Sequence, residues 1–491
     1  MPGRARTVLR SAVLVVALVA SLGTGTARAA AASTLAPEVS GLPPAVLTTL
    51  AAEKLSANHL SVWVQAVDSP RPLLAHNPDE PRNPASVMKL VTTLAALDVL
   101  GPGYRWQTRI YAGGPVRDGV LHGDLHLRGG GDPLLVTERF WLMLRRLRDQ
   151  GIQRITGDLV IDQGFFAGLP EDPGDFDGRR YHAYNTLPVA LAVNFNATRF
   201  SFWPDEGAKS VRITLDPPNA MMRVDNGLRL VGGACRGRHR RMALEVLSDT
   251  RGDHVAFAGE YPASCGSYEL VRSLGSADVH AFGVFKALWS ELGGRIDGRL
   301  RNAAVPRDAT LLLAWESEPL GDVIRGMNKH SNNLMTRQLL LTMGVEREGP
   351  PGTEAKGRRA VDGWLLGTGV APGQVEVDNG SGLSRAARIT ARVLGHLLVG
   401  SWGSPLMPEF VSSLPLSAVD GTMRRRFKDE ALAGRLHMKT GLLNDVRALA
   451  GYLHGAGGRV WAVVVLHNEE DVHIFRGTRV QDALLEWLDT R

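Results

Sequence analysis

Cysteine is nearly absent, with two residues, Cys235 and Cys265, in a chain of 491. No Cys-x-x-Cys pattern occurs, which removes the usual zinc and dithiol redox signatures. The longest apolar run near the N-terminus, Ala12–Ala20, is too short to span a bilayer comfortably. Excess charge is also scarce. Lys plus Arg number 56 and Asp plus Glu 50, a formal net charge of +6. Four of those arginines lie in the first 29 residues, which hold no acid, so the remainder carries only +2. That balance gives no reason to invoke nucleic acid. The glycine run Gly129-Gly130-Gly131-Asp132-Pro133 is followed by no Lys-Ser/Thr and reads as a turn, not a phosphate cradle. No internal repeat is evident, and no cofactor or metal is expected.

The N-terminus has the pattern of a secretory signal over 1–29. Arg4, Arg6 and Arg10 form a positive region, Ala12–Ala20 an apolar one, and Ala27-Arg28-Ala29 a cleavage site. A retained membrane anchor is the alternative. An exported chain matures in an oxidising compartment. Cys235 and Cys265 therefore read as one disulfide, contributing about 3–4 kcal/mol in the loop-entropy account. Two basic clusters remain, Arg236–Arg241 and Arg424–Arg426. The plain reading of each is a solvated face. The functional alternative is contact with an anionic surface, cell-wall polymer or lipid headgroups at the membrane periphery.

Along the chain, residues 30–45 form an Ala-, Ser- and Pro-rich lead. Leu60–Val67 alternates as a strand, and Leu73–His76 is the second arm of a hairpin. A helix follows and stops at Gly101-Pro102-Gly103. From 104 to 304 short strand-like pieces dominate, a β-rich insert of two parts that holds both cysteines and no evident catalytic cluster. Helical periodicity resumes at Leu320, Val323, Ile324 and Met327, a loop spans Asn328–Asn333, and Met335, Leu339 and Met343 mark another helix. Arg447–Leu453 and Val460–Leu466 are strands joined through Gly455–Gly458, and a helix closes the chain.

Three short patterns carry chemistry. Ser86-Val87-Met88-Lys89 places a hydroxyl and an amine three residues apart at the start of a helix, where they share a face and an amine can take the hydroxyl proton. Alone the pattern is weak, since a capping serine and a solvated lysine are common. Ser331-Asn332-Asn333 and Lys439-Thr440-Gly441 follow in order. Together the three are the signatures of penicillin-binding proteins and serine β-lactamases. Ser86 is the expected nucleophile. Lys89 is the base, provided burial and a nearby cation lower its pKa from about 10.4. Lys439 supplies that field, Ser331 relays a proton to the leaving amine, Asn333 holds the substrate amide, and Thr440 and Gly441 line the carboxylate side. Backbone N–H groups of Ser86 and Leu442 are the expected oxyanion donors. His330 reads as a loop residue, Asp378 and Asp420 as turn caps or loop positioners, and Arg447 is left without a role.

Ser331 stands 245 residues after Ser86. That large insert, the Ser-Asn-Asn form of the second motif, and the stretches Asn83–Ser86, Gly123–Pro133, Asp378–Arg385 and Asp420–Arg426 resemble the D-alanyl-D-alanine carboxypeptidase/endopeptidase family of low-molecular-mass class C penicillin-binding proteins, the S13 peptidases. The resemblance implies an α/β (α+β) transpeptidase- and β-lactamase-like domain, an antiparallel sheet flanked by helices. It would comprise 30–103 and 305–491, interrupted by mainly β subdomains over 104–304. It implies hydrolysis of D-Ala-D-Ala ends and of peptide cross-links in peptidoglycan, acylation by β-lactams, and work in the periplasm. A β-lactamase and a wall-binding protein with a vestigial site are the competing readings. One departure stands out. The residue after Lys-Thr-Gly is usually Ser or Thr in that family and is Leu442 here, so a hydroxyl for the substrate carboxylate is missing.

Overall fold

The computed structural model describes residues 41–249 and 251–491; the leader expected over 1–29, and the lead as far as residue 40, lie outside them. A five-stranded antiparallel sheet forms the centre, in the order Leu74–His76, Leu60–Ala66, Val460–Asn468, Val446–His454, Leu436–Leu443. The chain's first strand thus lies beside its last, with Leu60 opposite His467 and Ala66 opposite Trp461. Leu60–Ala66 is buried along its whole length, because both sheet faces are covered. On one face Trp63, Ala448, Ala450, Tyr452, Ala462, Val464 and Leu466 pack into a core with the helices Lys89–Val99, Leu320–His330, Asn333–Glu348 and Ala391–Trp402. Gly395 lets the last of these approach, since a Cβ there would meet the Trp63 ring at 2.2 Å. On the other face the terminal helix Arg476–Asp489 lies against Val446–His454 and the helix Pro44–Ala52. The mixed α/β class and the central antiparallel sheet are those expected.

Lys89–Val99 is apolar around almost its whole circumference, and Lys89 through Leu97 are all buried. A helix of that kind belongs inside a core, and it fixes whatever stands at its N-terminus.

The region between the helices Lys89–Val99 and Leu320–His330 holds the remaining large sheets. Nearer the core, Gln107–Ala112, Leu125–Arg128, Leu159–Asp162, Leu300–Asn302 and Thr310–Glu316 form one sheet. The helices Thr137–Asp149 and Ala277–Glu291 close over it around Phe140, Leu144, Phe285 and Trp289. Farther out, two three-stranded sheets enclose Phe200, Phe202, Phe257 and Tyr261. Phe202 and Phe257 meet edge to face, centroids 5.0 Å apart, the favoured arrangement for aromatic pairs. Cys235 and Cys265 are bonded there. Of the basic clusters, Arg426 is not solvated: it bonds Asp482 at 2.6 Å and Gln481 at 3.1 Å. Among the described residues no helix is long and apolar enough to cross a membrane.

The disulfide closes a span of 30 residues. Replacing both cysteines by serine is expected to lower the stability of this outer unit by about 3–4 kcal/mol. Denaturant unfolding would read that loss, while reaction at Ser86 in the folded protein stays unchanged.

Candidate active site

Asn83 sets the entry to the first motif. Its Oδ1 accepts from the Ala85 N–H at 2.8 Å, and its Nδ2 donates to the Ser384 carbonyl at 2.8 Å. Its main chain is gripped from the other side, with its N–H donating to Asn468 Oδ1 at 2.7 Å and its carbonyl accepting from Asn468 Nδ2 at 3.0 Å. Ala85 is held at φ 46°, unusual for a residue with a Cβ. The next residues form a 3₁₀ turn, Ala85–Met88, before the α-helix begins at Lys89. Ser86 therefore sits at the start of the helical segment, as expected, but in a 3₁₀ turn that leads into the α-helix. The tighter turn has a consequence: residues three apart eclipse in a 3₁₀ helix, which lines Ser86 up with Lys89. Ser86 Oγ and Lys89 Nζ are 3.1 Å apart.

Lys89 is fully buried. Its amine also donates to Asn333 Oδ1 at 2.6 Å and to the Ser381 carbonyl at 2.6 Å. Burial first, and the Lys439 charge second, hold its pKa well below the usual lysine range. Those are the two causes expected from the sequence.

The second motif occupies less loop than expected. The helix Leu320–His330 ends on Ser331 in the left-handed region, φ 56°, and Asn332 at once caps the helix Asn333–Glu348, its side chain accepting from Met335 N at 3.1 Å. Asn is a favoured N-cap, so the break is two residues long. It leaves Ser331 facing Lys439, whose Nζ donates to Ser331 Oγ at 2.8 Å. Asn333 spans the cleft. Its Oδ1 takes the Lys89 proton donor and its Nδ2 donates to the Tyr184 carbonyl at 2.9 Å. His330 is exposed.

Lys439, Thr440, Gly441 and Leu442 lie on the edge strand Leu436–Leu443. Lys439 is fully buried, and burial pulls its pKa down to about 7. Thr440 Oγ1 meets Thr422 Oγ1 at 2.9 Å. Thr422 stands on a loop anchored by Asp420, which accepts from Leu416 N at 2.8 Å and pairs with Lys329 at 2.7 Å. Gly441 runs close against the nucleophile turn, where a Cβ would come within 2.5 Å of the Pro84 carbonyl. Leu442 is 52% exposed.

Several contributors carried no sequence signal as single residues. The stretch Asp378–Arg385 folds into a knot of turns in which Asn379 Oδ1 accepts from Ser381 N and Ser381 Oγ, at 3.0 and 2.8 Å. That knot aims the Ser381 carbonyl at Lys89. Its Gly-rich polar composition indicated a turn, but only the fold brings it here. The insert, in which no cluster was expected, supplies a wall: Phe176, Asp177, Arg179 and Tyr184 line the same cleft of about 550 Å³ as Ser86, Ser331, Asn333, Thr440 and Leu442. Phe176 stacks under the Arg385 guanidinium at 5.0 Å. The cleft thus joins a hydroxyl, a buried amine whose pKa is held low, and a second hydroxyl on a second amine. That set suits acyl transfer through a serine ester.

Comparison with known proteins shows the family. The D-Ala-D-Ala carboxypeptidase 3 (S13) family matches over residues 44–491. A D-alanyl-D-alanine carboxypeptidase of Actinomadura sp. (strain R39) is 30% identical over 400 residues, 78% of this chain and 73% of that protein. The D-alanyl-D-alanine carboxypeptidase DacB of Haemophilus influenzae is 24% identical over 386 residues, 78% of this chain and 80% of that one. The crystal structure of penicillin binding protein 4 (dacB) from Haemophilus influenzae superposes with a TM-score of 0.73 at 22% identity, covering 88% of this chain and 96% of that one.

Gly382 gives the sharpest test of how tightly the nucleophile turn is held. At φ +74° its built Cβ would stand 1.8 Å from the Ala85 carbonyl oxygen and 3.0 Å from the Ser86 nitrogen. Gly382→Ala is expected to displace the Ser86 turn and slow acylation of Ser86 by about 100-fold, the scale of losing one oxyanion donor. Stopped-flow acylation with a chromogenic cephalosporin reads the rate. Circular dichroism should show the fold retained.

Proposed function

We propose that this chain, which belongs to the D-Ala-D-Ala carboxypeptidase 3 (S13) family, hydrolyses the D-alanyl-D-alanine ends of peptidoglycan stem peptides through an ester on Ser86. The observation that carries the reading is the approach of Ser86 Oγ to Lys89 Nζ at 3.1 Å, with that amine fully buried. Ser86 Oγ attacks the carbonyl carbon of the penultimate D-Ala while its proton passes to Lys89. The oxyanion lies between the backbone N–H groups of Ser86 and Leu442, donors aimed where charge develops. Asn333 holds the substrate amide. Ser331, bonded to Lys439, relays the proton held by Lys89 to the leaving amine, and the C–N bond breaks to release D-Ala, leaving Lys89 neutral again. Lys439, Thr440 and Gly441 form the side on which the terminal carboxylate rests. Water then attacks the ester, giving a proton to Lys89, which passes it to the departing Ser86 Oγ as the acyl C–O bond breaks, so the shortened peptide leaves with Ser86 and Lys89 restored.

The same steps cleave a cross-link when the leaving amine belongs to a neighbouring stem peptide, which is the endopeptidase reaction. A β-lactam enters at the first step. Its ring amide acylates Ser86, and the leaving nitrogen stays tethered. The leader expected over 1–29 delivers the enzyme to the periplasm, where this polymer lies.

Fluorescent penicillin is expected to label the wild-type protein and not Ser86→Ala. Lys89→Ala should slow labelling by about 10²–10⁴-fold, the usual weight of a positioned base. A folded wild-type protein that takes no label would overturn the reading.

The two amines also predict a bell-shaped pH profile for kcat/KM. Acylation needs Lys89 neutral, which rising pH favours. It needs Lys439 protonated, a state lost as pH rises through about 7 in the free enzyme. The alkaline limb should therefore have a midpoint near 7, and Lys439→Arg, whose charge does not titrate in this range, should remove it. An unchanged alkaline limb in Lys439→Arg would refute the assignment.

A further inference from the structure

Leu442 and Arg447 stand directly opposite each other, on the edge strand Leu436–Leu443 and its neighbour Val446–His454. Facing residues in an antiparallel pair project to the same side. Both side chains line the reactive cleft, together with Thr440 and Ser86. Arg447 is half-buried, and its Nε is shut off from solvent with no hydrogen-bond partner among the described residues. Buried donors are almost always satisfied, and an arginine left unpaired beside a cleft is an uncompensated cation.

Its neighbours do not supply the anion. Asp482, the carboxylate acting on it, is bonded by Arg426 at 2.6 Å. On the adjoining turn, His473 Nδ1 accepts from the Asp445 N–H at 2.9 Å and lies 3.5 Å from the Asp445 carboxylate. Below, Arg447 faces His467 on the strand Val460–Asn468, and that ring is bonded to Glu469 at 2.9 Å. Burial, with the Arg426 charge second, lowers the Arg447 pKa to about 10, the shared Asp482 carboxylate acting the other way. The Arg447 stem is held in place, since a Cβ at Gly477 on the terminal helix would come within 2.9 Å of the Arg447 Cβ.

We propose that Arg447 binds the terminal carboxylate of the substrate, taking over across the strand pair the role that a hydroxyl at position 442 would fill. The proposal rests on the acyl-serine reading above. A guanidinium can grip a carboxylate with two parallel N–H donors. One such grip replaces the single hydroxyl bond that Leu442 cannot make, and Thr440 completes the subsite. Leu442 then acts as the apolar side of the pocket. It excludes water from the ion pair and strengthens it. Specificity follows: this enzyme should select a free C-terminal carboxylate by charge more than by hydroxyl contacts.

The test compares benzylpenicillin with its methyl ester, and an N-acylated peptide ending in D-Ala-D-Ala with its C-terminal amide. Arg447→Ala is expected to lower kcat/KM for the free acids by about 10–100-fold, the scale of a lost charge-assisted pair. Reaction with the ester and amide should change less than about twofold, which also shows that the variant is folded and that Ser86 still reacts. Arg447→Lys should recover part of the loss. Leu442→Thr placed on Arg447→Ala should recover part of it by restoring the hydroxyl. Equal losses on acid and ester, or no loss on the acid, would overturn the carboxylate role while leaving the acyl-serine reading standing. A wild-type protein that reacts with none of the four compounds would overturn both.

Discussion

Two lysine amines are buried in one cleft, and the rest of the structure around it follows from that constraint. Removing an ammonium from water is costly unless it is bonded or neutral. Lys89 resolves this with three acceptors from three separate stretches: Ser86, Asn333 and the Ser381 carbonyl. Lys439 has Ser331 and its own strand, through the Thr440 carbonyl at 3.0 Å. The Lys439 charge, after burial, lowers the Lys89 pKa, while Lys439 itself is lowered by burial. Burial and then the Lys439 charge draw Lys89 toward its neutral form, in which it can accept the Ser86 proton while still donating to Asn333 and the Ser381 carbonyl. Every element that places one of those acceptors becomes part of the reactive centre, however far it lies in sequence.

The long insert is one such element. It begins after the helix that opens on Lys89 and ends before the helix Leu320–His330, which Ser331 caps, so both of its ends lie next to elements that place motif residues. The Tyr184 carbonyl fixes the Asn333 amide, which in turn orients Lys89. Tyr184 is itself tied to Asp177 through its hydroxyl at 2.7 Å. The insert therefore touches the chemistry at second hand while shaping the mouth through which a polymer end must enter.

How much of this could be read from residues alone differs by element. The three motifs named Ser86, Lys89, Ser331, Asn333, Lys439 and Thr440, and the fold gathers all six around one cleft. They were legible because each has a local signature of residue type and spacing. The two central lysines were legible as chemistry too, since an unprotonated amine demands burial and a like charge. The 3₁₀ turn at Ser86 was not legible. It depends on Asn83 bonding to Ser384 and Asn468, about 300 and 385 residues away, and no local pattern encodes that. The apolar period at Leu320–Met327 indicated a helix, but the loop after it was overdrawn because an αL residue followed by an Asn cap ends one helix and starts the next almost without a gap. Tyr184 and Thr422 act through a main-chain carbonyl and a hydroxyl on loops, positions that composition does not distinguish. Arg447 drew notice as a cation near a motif strand, and its meaning needed the register that sets it against Leu442.

The pairing of Leu60–Ala66 with Val460–Asn468 has a consequence for how the enzyme comes into being. Contacts between residues 400 apart form late, because the whole intervening chain must first be available. The nucleophile turn depends on Asn468, and Lys439 belongs to the same late-arriving hairpin. A chain short of its last strands holds Ser86 and Lys89 but lacks Lys439 and the Asn468 side chain that grips Asn83. Topology thus completes the surroundings of Ser86 last: its full set of partners is assembled only once the final strands dock.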